Sequence, residues 1–210
     1  DLMRAGKMDD PFYRYNEDAA LQLMDKGYIY RRIFELEAGQ MDLDALLLRC
    51  EGLDTLAEIA INGQVVGSAD NMHRIWEFDV ADAVREGANE IELRFASPTL
   101  FIKRAYAECK AEGSSDAMVG FPHLRKAHCM FGWDWGPRLP DAGIWRDISL
   151  VAVDRARFSD VHVRERHEGG HVTLEFELEI DSFAGAREYQ ERIIVIAPDG
   201  AVFVSDGDAI

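Results

Sequence analysis

The chain has 210 residues, 48% of them hydrophobic and 10% aromatic, enough apolar material to bury a core in one or two domains. Its 39 acidic residues against 23 basic ones leave a formal net charge of -16, which argues against nucleic acid or a membrane surface as partner and favours a neutral, hydroxyl-rich ligand. No apolar run approaches the roughly 20 residues that a membrane-spanning helix needs.

The opening, DLMRAGKMDDPFYRYNE, lacks both a starting methionine and the charged-then-apolar layout of a signal peptide. It reads as the start of a piece excised from something longer. Cys50, Cys109 and Cys129 are odd in number and irregularly spaced, so reduced thiols and a cytoplasmic setting are expected. NEDAALQLMDKG then offers Asn16 as a helix N-cap, good helix formers behind it and Gly27 as a stop, which predicts one short helix. From Tyr28 onward the pattern changes to short aromatic and branched runs divided by turn residues, the signature of an all-β fold.

YIYRRIFELEA is the first strand, and LLLRCEGLDTLAEIAINGQVVG carries two or three more. Its Asn62-Gly63 pair predicts a type I′ hairpin, because both residues tolerate positive φ. HRIWEFDV alternates Arg74, Trp76, Phe78 and Val80 against Ile75, Glu77 and Asp79, while NEIELRFAS puts Ile91, Leu93 and Phe95 on one face. Both read as half-buried strands. Between Pro98 and Arg125 a helix is expected around Phe101 to Ala111, followed by a Gly-Ser loop.

HCMFGWDWGPRLPDAGIW, from His128 to Trp145, holds three of the chain's four tryptophans among glycines and prolines that forbid a regular helix or central strand. Gly132, Gly136 and Pro137 predict a bend there. An indole face packs on the C–H face of a pyranose and a carboxylate accepts from vicinal hydroxyls, whereas large aromatics are mostly buried. Residue chemistry alone therefore assigns Trp135 and Trp145 to the core beneath the loop. It leaves Trp133 with Asp134 open between a sugar-facing pair and a core plug.

GIWRDISLVAV closes the first sandwich near Val153. Beyond it, HVTLEFELEI sets Val172, Leu174, Phe176, Leu178 and Ile180 on one face and Thr173, Glu175, Glu177 and Glu179 on the other, an antiparallel strand with one wet side. REYQERIIVIAPDGAVFVS reads as strand, turn at Pro198-Asp199-Gly200, strand. About fifty residues are too few for a seven-stranded sandwich, so a truncated second domain ending in an unfinished sheet at SDGDAI is expected.

His162, His167 and His171 invite a metal-site reading, but a structural zinc usually recruits four ligands, and the Gly169-Gly170 turn scatters these three around an exposed hairpin. No metal and no cofactor are expected. The acidic runs NED (16–18) and ELE (35–37) read as solvated faces rather than as catalytic carboxylate pairs.

RKAHCMFGWDWGPRLPDAGIWRDISL is similar, almost position for position, to the segment that closes the N-terminal β-sandwich of β-mannosidases in glycoside hydrolase family two. DPFYRYNE and GLDTLAEIAINGQVVGSADNMHRIWEFDV resemble that family too, so the likeness spans residues 1 to 153. The GWDWGP string marks the mannosidase branch. This resemblance implies a retaining exo-β-mannosidase acting on terminal β-mannosides, built from a jelly roll, an immunoglobulin-like domain, a catalytic TIM barrel and further sandwich modules.

The expected fold is accordingly all-β: a galactose-binding-like jelly roll over 1–153, then a truncated immunoglobulin-like sandwich over 154–210. The two catalytic glutamates of the family lie in the barrel, so no catalytic residue is expected in this chain, and its missing partner is that barrel. Carried over, Asp134 would accept hydrogen bonds from hydroxyls of the terminal mannose and Trp133 would wall its pocket. Leu23, Tyr28 and His73 depart from the family pattern and are expected to be packing variants. The competing readings are a free-standing carbohydrate-binding module, against which a truncated second domain speaks, and a purely structural sandwich with every tryptophan in its core.

Overall fold

A computed structural model of the chain describes residues 2–183, 185 and 188–207. Arg187, at the start of one expected strand segment, and 208–210, at the expected unfinished end, lie outside the described residues. The chain opens with α1 (Asn16–Met24), β1 (Tyr28–Leu36), a single turn α2 (Ala38–Met41) and β2 (Ala45–Cys50). There follow β3 (Leu53–Asp54), β4 (Ala57–Ile61), β5 (Gln64–Ala69), β6 (Trp76–Asp79), β7 (Gly87–Phe95) and α3 (Pro98–Glu108). Then come β8 (Phe131–Trp133), β9 (Gly136–Arg138), β10 (Gly143–Ile144) and β11 (Ile148–Val153). β12 (Ala156–Glu168), β13 (His171–Ser182), β14 (Arg192–Ile196) and β15 (Val202–Asp206) complete the described chain.

The chain divides into two compact units, residues 1–42 with 46–152, and residues 43–45 with 153–210. In the first, a sheet ordered β1-β7-β4-β5 faces a sheet ordered β11-β2-β6. Neither closes into a barrel. The alternation seen in the sequence fills the space between them: Ile91, Leu93 and Phe95 of β7 and Ile59 and Ile61 of β4 meet Leu46, Leu48 and Cys50 of β2. The turn at Asn62-Gly63 takes φ +51° and +83°, with Ile61 opposite Gln64, as a type I′ hairpin requires.

Several boundaries differ from expectation for local reasons. Asn16 does not cap α1: Tyr15 occupies that position without a side-chain bond, while Asn16 Nδ2 donates to the Asp10 carbonyl at 2.9 Å. The same helix stops before Gly27, at Asp25, whose carboxylate accepts from Thr99 Oγ1 at 2.5 Å. α3 begins earlier than Phe101, because Ser97 caps it through Leu100 N–H at 3.1 Å and Pro98 fits its first turn. The LLLRC segment supplies four strands rather than two or three, since Leu53–Asp54 pairs with β10 as a short strand of its own.

In the second unit, β12 and β13 form a long hairpin turned at Gly169-Gly170, with φ +59° and +80°. One face carries Phe158, Val161 and Val163 opposite Ile180, Leu178 and Phe176. The other carries Arg157, Arg164 and Arg166 opposite Asp181, Glu175 and Thr173. β14 pairs with β15, Ile194 opposite Val204 and Ile196 opposite Val202.

Candidate functional site

The tryptophan segment builds a small hairpin on the first unit. β8 and β9 pair antiparallel, Phe131 opposite Arg138 and Trp133 opposite Gly136, which leaves Asp134 and Trp135 as the two-residue turn. The segment bends, as its composition requires. Pro137 has no ladder donor to offer, and Gly132 sits at φ +110°, where an added Cβ would lie 2.8 Å from Arg138 Cγ and 3.0 Å from the Asp116 carbonyl oxygen.

The base of the hairpin is fixed in a core of its own. Phe131 is fully buried with Ile102, Phe121 and Leu124, its ring centroid 6.2 Å from that of Phe121. Its carbonyl accepts from Met118 N–H at 2.9 Å, and the Met130 carbonyl accepts from Leu139 N–H at 2.8 Å. The tip, in contrast, faces solvent. Trp133 is 49% exposed and Trp135 83% exposed. Asp134 is exposed as well, and its carboxylate makes no hydrogen bond or ion pair among the described residues.

Trp135 and Trp145 are therefore not core residues, contrary to expectation. The space beneath the loop is already filled by Ile102, Phe121, Leu124 and Phe131, so no indole is needed there. Trp145 lies beyond β10, 45% exposed; its main-chain N–H donates to the Gly52 carbonyl at 3.1 Å and the Arg146 guanidinium covers its ring at 4.1 Å.

Two ion-pair arrangements hold the surroundings of the hairpin, and residue patterns announced neither. Arg138 of β9 is gripped by α1: Glu17 Oε1 accepts from its backbone N–H at 3.1 Å and from its Nε at 2.6 Å, and Asp18 Oδ1 accepts from its terminal nitrogen at 3.3 Å. The NED run is thus not merely a solvated face. Lys126, fully buried, pairs with Asp54 of the GLDT segment and donates to the Asp141 carbonyl at 2.8 Å. Thr55 Oγ1 donates to the other Asp54 oxygen. Burial pushes the Lys126 ammonium below its ordinary pKa, and the Asp54 carboxylate pulls it back up. Lys126 thus ties the chain just before and just after the hairpin to β3.

The other candidates stay apart from the hairpin tip. Tyr28 and Leu23 touch each other, the phenol donating to the Leu23 carbonyl at 2.9 Å, and the His73 N–H donates to Asn71 Oδ1 at 2.9 Å. His162 and His171 share the charged face of the β12–β13 hairpin while His167 falls on the other. Among the described residues, no group of three or more His, Cys, Asp or Glu side chains is placed to hold a metal ion. All three cysteines are free; Cys50 is fully buried and its thiol is pushed up to about 12 by burial, which makes it chemically quiet. The turn offers one carboxylate and two indole faces. All three of these side chains stand exposed at the tip of the hairpin.

Residues 1–146 match the family model described as Glycosyl hydrolase 2 galactose-binding domain-like, and the chain belongs to that family. Its relatives are, more particularly, β-mannosidases. It is 34% identical over 193 residues to β-mannosidase B of Emericella nidulans, covering 85% of this chain and 22% of that protein. To the β-mannosidase of Rattus norvegicus it is 32% identical over 168 residues, covering 74% and 18%. The crystal structure of β-D-mannosidase from Dictyoglomus thermophilum superposes with a TM-score of 0.90 at 32% identity, over 100% of this chain and 26% of that one. The chain thus spans about a fifth of the length of the curated relatives it matches.

Proposed function

We propose that this chain is the N-terminal, non-catalytic part of a retaining exo-β-mannosidase and lends its tryptophan hairpin to the pocket that holds the terminal mannose. The carrying observation is the contrast within the hairpin: a base locked in the core, and a tip that exposes Trp133 and Asp134 with no intramolecular partner for the carboxylate. A core plug would have buried both. In this reading Asp134 accepts hydrogen bonds from mannose hydroxyls, Trp133 packs on the ring's C–H face, and a barrel outside this chain supplies the acid/base and the nucleophile. Residues 1–153 are then the jelly-roll domain, and 154–210, with their two antiparallel hairpins, part of an immunoglobulin-like sandwich.

In a full enzyme built on this chain, Asp134→Ala is expected to lower kcat/KM for an aryl β-mannoside about 100-fold or more while the melting temperature moves little. A destabilised enzyme with normal turnover per folded molecule would retire the sugar-binding role. The 210-residue chain by itself is expected neither to turn over the aryl mannoside nor to bind mannose measurably by calorimetry, since one pocket wall contributes only a hydrogen bond or two of about 1 kcal/mol each. Millimolar or tighter binding by the isolated chain would favour a free-standing carbohydrate-binding module instead.

A further inference from the structure

We infer that Glu17 is a positioning residue for the tryptophan hairpin: through Arg138 it sets where the Trp133–Trp135 tip stands. Its importance for turnover rests on the reading of the tip as a sugar-pocket wall; its mechanical role does not.

The hairpin is held in different ways on its two strands. β8 is anchored from below, because Phe131 is buried and its carbonyl is bonded to Met118 N–H. β9 contributes no comparable core side chain: Gly136 has none, Pro137 is half-buried and the Arg138 side chain is 44% exposed. What holds β9 on its outer side is α1. One carboxylate oxygen, Glu17 Oε1, receives both the main-chain N–H and the guanidinium Nε of Arg138. A bond to the main chain fixes the path of the strand, and the bond to Nε fixes the side chain that leads away from it. Together they convert a flexible surface pair into a two-point attachment.

The surroundings make this attachment firmer than an ordinary surface ion pair. Glu17 keeps only 24% of its side-chain surface exposed, and Asp18, on the same first turn, supplies a second carboxylate to Arg138. Gly132 leaves room on the opposite strand for the Arg138 stem, because a Cβ there would press on Cγ. α1 in turn is fastened at its far end: the Met24 carbonyl accepts from the Ser97 hydroxyl at 2.7 Å, and the Asp25 carboxylate accepts from the Thr99 hydroxyl at 2.5 Å. A helix pinned at its C-terminal end thus presents its N-terminal carboxylates to the hairpin as a rigid strut. The tip lies three residues before Arg138, at Trp135, so a change in the strut should be felt there first.

The test uses the 210-residue chain with 15N-labelled indoles, reading the heteronuclear relaxation of Trp133 and Trp135 Nε1. Trp76, whose Nε1 donates to the Asn71 carbonyl at 3.1 Å, serves as an internal reference. Glu17→Ala is expected to mobilise both tip indoles and leave Trp76 unchanged. Glu17→Gln, which keeps an oxygen acceptor for the Arg138 N–H, should restore most of the order. Arg138→Met should loosen the tip partway, and adding it to Glu17→Ala should loosen it by less than the sum of the two, because both remove the Glu17–Arg138 contact and only the weaker Asp18 pair is lost in addition. Unchanged indole dynamics in Glu17→Ala, or additive effects in the double variant, would overturn the strut.

If α1 itself frays, its own backbone amides will lose order too. Glu17→Gln with α1 intact and a mobile tip would likewise overturn the main-chain attachment. In a full enzyme, Glu17→Ala should raise KM and lower kcat/KM about tenfold with kcat much less affected, and Glu17→Gln should recover most of it. A loosened tip with unchanged kcat/KM in both Glu17→Ala and Asp134→Ala upholds the strut and retires the sugar-pocket reading.

Discussion

Lys126 shows how one residue can decide whether a surface feature is presented at all. A long cationic side chain with no exposed surface is tolerated because its ammonium reaches both the Asp54 carboxylate and the Asp141 carbonyl. Replacing it leaves Asp54 as a buried charge without its cation. Lys126→Met is therefore expected to cost about 3–5 kcal/mol in urea unfolding, the usual penalty for breaking a buried pair from one side. Combining it with Asp54→Asn should recover part of that loss, since the orphaned charge goes with it. Equal losses in the single and double variants would show that packing rather than charge pairing governs the site. Nothing in the residue pattern of RKAHCM marks this lysine as buried, because its partner lies 72 positions away.

At the scale of elements, the outer face of the larger sheet is laced by charge across three strands. Arg31 of β1 pairs with Glu92 of β7, Glu92 with Arg94 at 2.5 Å, and Arg94 with Glu58 of β4 at 3.2 Å. The Arg31 guanidinium, helped by Arg94, holds the Glu92 carboxyl below the usual carboxylate pKa. Since the folded value lies below the unfolded one, the stabilisation is fully present above the ordinary carboxylate value near 4.3 and fades as pH falls through the lower, folded value. Glu92→Gln should flatten that acid limb and leave the neutral-pH side of the profile parallel to the parent's. An acid limb of unchanged slope would place the titration elsewhere. The strands themselves were legible in sequence, because alternation of Ile91, Leu93 and Phe95 fixes which face is buried; the cross-strand register that aligns Arg31 with Glu92 was not.

At the scale of the whole molecule, the second unit differs from the first in what it leaves uncovered. Phe158, Val161 and Val172 on one hairpin and Ile194, Ile196 and Val204 on the other are each at least half exposed. Two-stranded hairpins with apolar faces of this extent are prone to pair with other chains. Concentration-dependent association is expected by sedimentation velocity, and Ile194→Lys with Val204→Lys should suppress it without changing the melting of the first unit. A monomer at all concentrations would retire the association expected of these faces.

The sequence by itself determined the class of fold, the turn at Asn62-Gly63, the bend in the tryptophan segment and the family to which the chain belongs. Each of these follows from local rules: period-two alternation, tolerance of positive φ, missing donors at proline, and a motif read within a few residues. The tertiary structure alone decided which tryptophans face water, that Glu17 and Asp18 hold Arg138 across more than a hundred residues of chain, and that Lys126 lies in the interior. Those outcomes depend on what else fills a given volume and which distant charges arrive beside it. Phe131 and its neighbours took the space that composition had assigned to indoles, and the tip was left exposed to solvent.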